Sequence, residues 1–278
     1  MLSFPLLTGL SFADAEERAG RILSGKHIPA GDPAVLRRIL SLLDLTSLEG
    51  SDNQEKIHRL CAKAVSFKEK GLPCPAAVCV YPPFIRTVKE ALKGSGIRTA
   101  ATAAAFPSGQ MPLSVKLEEV RYVIQQGADE LDVVISRGSF LEGNHQTVFE
   151  ELVAIRQLTE GLTLKVILET GELGSFENIA QASAIAIEAG ADFIKTSTGK
   201  IVPAATESAV LVMLEVIRSY HEKSGKKIGI KPAGGISTPG QALNYYYLVK
   251  EILGNEWLQS GLFRIGASRL ADRLMEIL

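Results

Sequence analysis

The stretch TLKVILETGELGSFENIAQASAIAIEAGADFIKTST, residues 163–198, contains two β-prone runs separated by one helix-compatible run. TLKVILET and ADFIKTST are rich in residues that favour strands, and SFENIAQASAIAIEAGA has the apolar spacing of a helix that packs on one face. The order strand, helix, strand predicts two parallel strands joined by a right-handed crossover. The fold of the chain then depends on how often this unit recurs.

The same alternation runs through most of the chain. Eight β-prone runs recur, and each is followed by a helix-compatible segment: ILSLLDL near residue 39, AAVCVYP near 76, TAATAAAFP near 99, ELDVVIS near 130, TLKVILET near 163, ADFIKTST near 191, KIGIKPAGG near 227 and LFRIGAS near 262. No linker rich in proline, glycine and serine separates them. We therefore predict one α/β domain, a (β/α)8 TIM barrel over residues 39–278, preceded by a helical extension over residues 1–38. A doubly wound open sheet is the competing architecture.

Composition limits the classes of partner. The chain has 30 basic and 31 acidic residues and a net charge of -1, so neither nucleic acid nor an anionic membrane surface is expected as a partner. No apolar run approaches the ~20 residues that a membrane-spanning helix needs. The three cysteines, Cys61, Cys74 and Cys79, form no CxxC pair and no zinc-binding pattern with histidine. This favours reduced thiols, a cytoplasmic location and no bound metal.

Strand alternation places charged side chains inside the predicted barrel. In ELDVVIS, Leu131 and Val133 share the face toward the helices, so Asp132 faces the interior. The same rule predicts interior positions for Glu130, Asp132, Lys165, Glu169, Lys195 and Lys231. Isolated buried charges cost several kcal/mol, so the set indicates a functional cavity at the C-terminal strand ends. The alternative for Lys165 is a structural ion cluster with Glu169 or Asp132.

Lys195 and Lys231 are predicted at the C-terminal ends of neighbouring strands. A nearby cation and partial desolvation both lower the pKa of a lysine, and its neutral amine can then attack a carbonyl. Asp132 is the candidate acid–base partner. Asp44 lies with Thr46 in DLTSL at the end of the first strand, and is either a second carboxylate of the site or a cap of the following turn or helix.

Small residues follow the last three predicted strands. These segments are Thr198-Gly199-Lys200, Ala233-Gly234-Gly235 and Gly266-Ala267-Ser268. Small residues let backbone amides approach an anion, and barrels often bind phosphate in the loops after strands seven and eight at a helix N-terminus. The alternative is that the glycines only make tight turns. Cys79 in AVCVYP is either a small buried hydrophobe or a thiol that lines the cavity.

Several of these motifs occur together in one known family. They are DLTSL at 44, AVCVYP at 77, ELDVVIS at 130, LKVILETGEL at 164, ADFIKTSTGK at 191, IGIKPAGG at 228 and FRIGAS at 263. In this order and spacing they resemble the deoxyribose-phosphate aldolases, class I enzymes that work through a lysine Schiff base, and the resemblance extends from about Leu43 to Ser268. It implies that Lys195 is the Schiff-base nucleophile, Lys231 the neighbouring cation and Asp132 the proton-relay carboxylate.

The resemblance also implies the reaction and its partners. The expected reaction is reversible cleavage of 2-deoxy-D-ribose 5-phosphate to D-glyceraldehyde 3-phosphate and acetaldehyde, without metal or cofactor, as in deoxyribonucleotide catabolism and carbohydrate degradation. A homodimer or higher homo-oligomer is expected. Ser237 stands where the family often has arginine, and Arg269 where it has a small or hydroxyl residue. Two alternatives therefore stay open: the same chemistry on non-phosphorylated or other aldehydes, and a non-catalytic barrel that binds sugar phosphates.

Overall fold

The computed structural model describes residues 7–24 and 32–278. The strands are β1 Leu43–Thr46, β2 Ala77–Val80, β3 Arg98–Ala103, β4 Glu130–Val134, β5 Thr163–Ile167, β6 Phe193–Lys195, β7 Gly229–Lys231 and β8 Ile265–Ala267. The helices are α1 Ala15–Ser24, α2 Pro33–Ser41, α3 Gln54–Glu69, α4 Ile85–Ala91, α5 Leu113–Gln125, α6 Arg137–Leu141, α7 His145–Leu158, α8 Phe176–Glu188, α9 Glu207–Ser224, α10 Pro239–Leu253 and α11 Leu270–Ile277. Strands and helices alternate from β1 onward, as the sequence predicts.

All eight strands belong to one parallel sheet, in the order β7-β6-β5-β4-β3-β2-β1-β8. Backbone hydrogen bonds also join its two ends. The amide of Arg264 donates to the carbonyl of Ile230 at 3.0 Å, and the amide of Gly266 donates to the carbonyl of Pro232 at 2.9 Å. These contacts bring the sheet round to a nearly closed barrel. The predicted (β/α)8 barrel is thus confirmed, and the doubly wound open sheet is excluded.

The two faces of the strands differ as the alternation predicts. Leu131, Val133 and Val166 belong to the main apolar core between sheet and helices. Cys79 lies with two alanines in a small separate cluster inside the barrel. The interior beside it holds charged groups, including Asp132, which is fully buried. Because this interior is filled with ions, its stability depends on how completely those ions are paired.

The first predicted strand begins too early. The side chain of Asp32 accepts a hydrogen bond from the amide of Ala34 at 2.9 Å, and Pro33 occupies the first turn, so helix α2 starts here and continues to Ser41. Ile39 is buried on its inner face and belongs to the apolar stripe of this helix. Strand β1 therefore begins at Leu43, and the prediction of a strand from residue 39 is wrong.

Helix α1 packs against α9 and α10 outside the barrel. Arg18 of α1 donates to the buried Glu215 carboxylate of α9 at 3.2 Å. Residues 1–6 and 25–31 of the predicted extension lie outside the described residues, and its proposed end at residue 38 falls within α2. Across residues 7–24 and 32–278, no helix has both the length and the apolar character needed to cross a bilayer.

Candidate active site

A cavity of about 370 Å³ opens at the C-terminal ends of the strands. Its lining is Thr46, Leu48, Glu49, Lys195, Thr198, Gly199, Lys200, Ala233, Gly234, Gly235, Ile236, Ser237, Gly266, Ala267, Ser268 and Arg269. Most of the predicted substrate-binding residues therefore surround one space, together with Ser237 and Arg269. The loops after β6, β7 and β8 form most of the wall.

Three lysines meet one carboxylate at the base of this cavity. Asp132 Oδ2 accepts hydrogen bonds from Lys195 Nζ at 2.7 Å and from Lys231 Nζ at 2.6 Å, and Oδ1 accepts from Lys165 Nζ at 2.9 Å. Among these three lysines, only Lys195 lines the cavity, although its exposed fraction is only 2%. Of the three, Lys195 is therefore the amine that a molecule in the cavity can reach.

Burial and charge act differently on the lysines. Burial lowers the pKa of Lys195, and the positive charge of Lys231 lowers it further, so the net pKa lies below its ordinary value although Asp132 opposes the shift. Burial would also lower the pKa of Lys231, but Asp132 and Asp44 outweigh it and hold this pKa above the ordinary value. Lys195 is thus the more easily deprotonated amine of the two, and Lys231 stays a cation.

Asp44 belongs to the charged interior and does not cap a helix. Its Oδ2 lies 2.5 Å from Lys231 Nζ, and its Oδ1 accepts a hydrogen bond from Arg264 Nη1 at 2.6 Å. Burial would raise the pKa of Asp44, but Lys231, Arg264 and Lys165 outweigh it and hold the pKa well below its usual range. Of the two positions left open by the sequence, the structure shows no cap among the described residues and places Asp44 as an ion-pair partner of Lys231 and Arg264.

Three of the residues predicted to bind substrate do not line the cavity. Asp44, Lys165 and Cys79 are fully buried beneath it. Lys165 lies 2.6 Å from Glu130 and 2.9 Å from Asp132, so it connects two carboxylates. Burial, followed by the charge of Asp132, raises the pKa of the Cys79 thiol to about 11. Cys79 therefore acts as a small neutral side chain that fills the interior.

Glu169 differs from its predicted position. The alternation placed it inside the barrel as a possible partner of Lys165, but its φ of 59° is left-handed and turns the chain away after β5. Its carboxylate accepts from the amide of Thr198 at 3.0 Å and from Arg137 Nη1 at 2.9 Å, and it also accepts from the Thr198 hydroxyl. Glu169 therefore holds the loop after β6. Of the two partners that the sequence left open for Lys165, the structure shows Asp132 and not Glu169.

Two buried charged residues were not predicted as site residues, Arg264 and Glu130. Arg264 Nη2 donates to Glu130 Oε1 at 2.8 Å, and Nη1 donates to Glu130 Oε2 at 3.1 Å. Glu130 was placed in the interior by strand alternation but given no role. The same rule could have found Arg264, because FRIGAS puts it two residues before the interior Gly266.

The loop after β7 lines the cavity. Within the described part of the chain, the amides of Gly234, Gly235 and Ile236 have no acceptor. A side chain at Gly234 would strain its φ of 87° and place a Cβ 2.6 Å from the Cβ of Ala204, so glycine is required. The amides of Ser237 and Thr238 donate to Gln241 Oε1 at 2.9 Å and 3.1 Å. The α10 N-terminus is thus already capped, and the open donors belong to the loop before it.

Comparisons with known proteins point to one family. The family model described as DeoC/LacD family aldolase matches residues 38–243. The deoxyribose-phosphate aldolase of Homo sapiens is 45% identical over 250 residues, which cover 85% of this chain and 78% of the human protein. That of Mus musculus is 44% identical with the same coverage. The tetrameric structure of a deoxyribose phosphate aldolase from Aeropyrum pernix is 25% identical, covers 96% of this chain and 97% of that chain, and superposes with a TM-score of 0.68.

Proposed function

The chain belongs to the DeoC/LacD aldolase family, and from this membership we propose that it cleaves 2-deoxy-D-ribose 5-phosphate reversibly to D-glyceraldehyde 3-phosphate and acetaldehyde. Lys195 is the nucleophile, Lys231 the cation that adds to burial in lowering the pKa of the Lys195 amine, and Asp132 the carboxylate through which protons pass. The observation that supports these roles best is the shared oxygen: Asp132 Oδ2 accepts from both Lys195 and Lys231.

The chemistry follows from one neutral amine in reach of a carbonyl. The Lys195 amine attacks C1 of the open-chain sugar phosphate, and loss of water gives a protonated imine. The imine draws electrons from the C2–C3 bond, which breaks as the C3 hydroxyl loses its proton, and the electron pair forms an enamine. After glyceraldehyde 3-phosphate leaves, the enamine takes a proton at C2 and water releases acetaldehyde from Lys195. The protein must therefore both withdraw and return protons beside Nζ.

Asp132 and Lys231 have different parts in these proton transfers. Burial would raise the pKa of Asp132, but Lys165, Lys195 when it is protonated, and Lys231 outweigh it and hold the pKa well below its ordinary value, so the group is ionised at rest. It orients Lys195 and accepts a proton only transiently. Lys231 shares the same oxygen and is protonated at rest, so it can donate a proton along that contact and afterwards recover it.

The phosphate of the substrate fits the outer part of the cavity. Gly234, Gly235 and Ile236, whose amides have no acceptor within residues 7–24 and 32–278, line the same cavity as Lys200 and Arg269. Backbone amides and cations together stabilise a phosphate without a metal. Arg269 lines the cavity although Ser237 has replaced the arginine expected nearby, which favours a phosphorylated substrate over the non-phosphorylated alternative.

Trapping the imine tests the assignment. Incubation with acetaldehyde and borohydride should leave an ethyl group on Lys195 Nζ, located by peptide mass spectrometry, and Lys195→Arg should abolish the adduct. Lys200 also lines the cavity, so it serves as an internal comparison. Modification of Lys200 with Lys195 untouched would overturn the nucleophile. Release of acetaldehyde from deoxyribose 5-phosphate would exclude the non-catalytic barrel.

The proposal also covers the oligomeric state of the chain and its location in the cell. A homodimer or higher homo-oligomer is supported by the tetrameric structure of the Aeropyrum pernix relative. A cytoplasmic location is supported by three free cysteines, of which Cys61 and Cys79 are buried. Light scattering of the purified chain tests the first of these, and fractionation of cells tests the second.

A further inference from the structure

Arg264 lies in the barrel interior just before β8, at the end opposite the active-site cavity. Its exposed fraction is 5%, and it borders a second cavity, of about 520 Å³, at the N-terminal strand ends. The guanidinium donates to Asp44 and to both oxygens of Glu130, and Nε donates to the carbonyl of Ser260. It does not line the substrate cavity, so any effect on the reaction must pass through other residues.

A continuous series of ion contacts leads from Arg264 to Lys195. Asp44 binds Arg264 with Oδ1 and Lys231 with Oδ2. Lys231 in turn binds Asp132 Oδ2, the oxygen that accepts from Lys195. Each link is an ion pair of 2.5 to 2.7 Å between groups that are almost entirely withdrawn from water. In such surroundings a change of charge at one end is felt strongly at the other.

The buried carboxylates and the buried cations around Lys195 are equal in number when Lys195 itself is left out. The carboxylates are Asp44, Glu130 and Asp132, and the permanent cations are Lys165, Lys231 and Arg264. Removing one cation would leave an uncompensated buried carboxylate, which costs several kcal/mol unless a nearby group takes up a proton. Lys195 is the remaining amine in contact with these ions, because its Nζ binds Asp132. It would then be protonated and lose its nucleophilicity.

Two other groups face the cluster, and neither replaces Arg264. Arg98 Nε lies 3.6 Å from Glu130 Oε1, but half of the Arg98 side chain is exposed, so water screens its charge. The pKa of Cys79 is raised by burial and by Asp132, so its thiol stays neutral. The balance therefore depends on the guanidinium of Arg264, which is almost entirely buried.

We propose that Arg264 is a positioning residue which, by supplying the third buried cation, frees Lys195 from acting as a counter-ion and so keeps it uncharged. This rests on the proposed role of Lys195 as nucleophile. It assigns to Arg264 an electrostatic task that spans the barrel and involves no contact with the substrate.

Three variants test the charge balance through the pH dependence of kcat/KM from about pH 5 to about pH 10. Arg264→Gln should move the acidic limb upward by about one pH unit, with a roughly tenfold loss near neutral pH that recovers in base. Glu130→Gln removes a negative charge and should move the limb downward. The double variant of Arg264→Gln with Glu130→Gln restores the balance and should return the limb close to its original position.

The matched control is Arg98→Gln, which removes the same charge from a neighbouring but solvated position and should leave the limb in place. A loss that is equal at every pH in Arg264→Gln, or a double variant that adds the two losses, would overturn the proposal and leave Arg264 a structural residue. Circular dichroism checks folding. If Arg264→Gln does not fold, Glu130→Gln and the charge-balanced double variant still show in which direction the acidic limb moves when a buried charge is removed. A wrong assignment of Lys195 as the nucleophile would be recognised independently, because the unaltered protein would then give no borohydride adduct on Lys195.

Discussion

Lys195 and Lys231 are register partners on the neighbouring parallel strands β6 and β7. Their side chains therefore leave the sheet on the same side at the same level, and both reach one oxygen of Asp132. Two nitrogens that share an acceptor are separated by no more than about two hydrogen-bond lengths. This closeness disfavours a positive charge on both, and burial together with the neighbouring carboxylates decides that Lys195 gives up its proton more easily.

The first prediction concerns the cation. Lys231→Leu removes the positive neighbour, so the pKa of Lys195 should rise and kcat/KM near neutral pH should fall by about 100-fold or more. The control is Lys116→Met, because Lys116 is an equally buried lysine paired with Glu151, outside the barrel interior. It should change stability and leave the pH profile unaltered. Near-normal turnover by Lys231→Leu would contradict the role of this cation.

The second prediction concerns acid stability. Charged partners hold the pKa values of Asp44, Glu130 and Asp132 below their ordinary values although burial opposes this. A depressed carboxylate pKa contributes stability that is complete above the unfolded-state pKa, about 4, and is lost as the pH falls through the folded-state value. The free energy of unfolding in urea should therefore fall steeply below about pH 4. A flat profile down to about pH 2 would show that these carboxylates are not preferentially ionised in the fold.

The third prediction concerns the loop after β6. Glu169→Gln weakens the contacts to Thr198 and Arg137, so the loop that lines the cavity should loosen, and KM for the sugar phosphate should rise about tenfold while kcat changes little. Glu172→Gln is the control, because Glu172 also pairs with Arg137, at 2.8 Å, but is exposed. A drop in kcat with KM unchanged would instead place Glu169 in the chemical step.

Much of the fold and the site follows from the period-two pattern of the strands. That pattern places Asp132, Lys165, Lys195 and Lys231 in one interior, and the structure brings all four together. The pattern fails where the backbone leaves the extended conformation, as at Glu169 with its left-handed φ. It also fails at α2, where Ile39 continues a helical stripe that the apolar sequence alone does not distinguish from a strand.

The loops predicted to bind phosphate show a different limit of prediction from the sequence. Glycines after β7, and Gly266 within β8, indicate that a backbone approaches something closely. Only the structure shows which amides have no acceptor within the described residues. The cap of α10 uses the amides of Ser237 and Thr238 for Gln241, so the free donors lie earlier, at Gly234 to Ile236. In a helix cap, a side chain three residues further along the chain binds backbone amides that a ligand could otherwise bind. A pattern of single residues in the sequence does not show that these amides are already used.

The last prediction concerns Arg269, which lines the cavity at the start of α11. A contact between Arg269 and the phosphate predicts that Arg269→Ala raises KM for deoxyribose 5-phosphate about tenfold, the value of one charged hydrogen bond, and leaves any turnover of deoxyribose unchanged. Arg273→Ala is the control, because Arg273 lies on the same helix but is exposed and pairs with Glu276 at 3.1 Å. An equal loss on both sugars would show that Arg269 acts on the loop, and the phosphate would then be held by the amides of Gly234 and Gly235 together with Lys200.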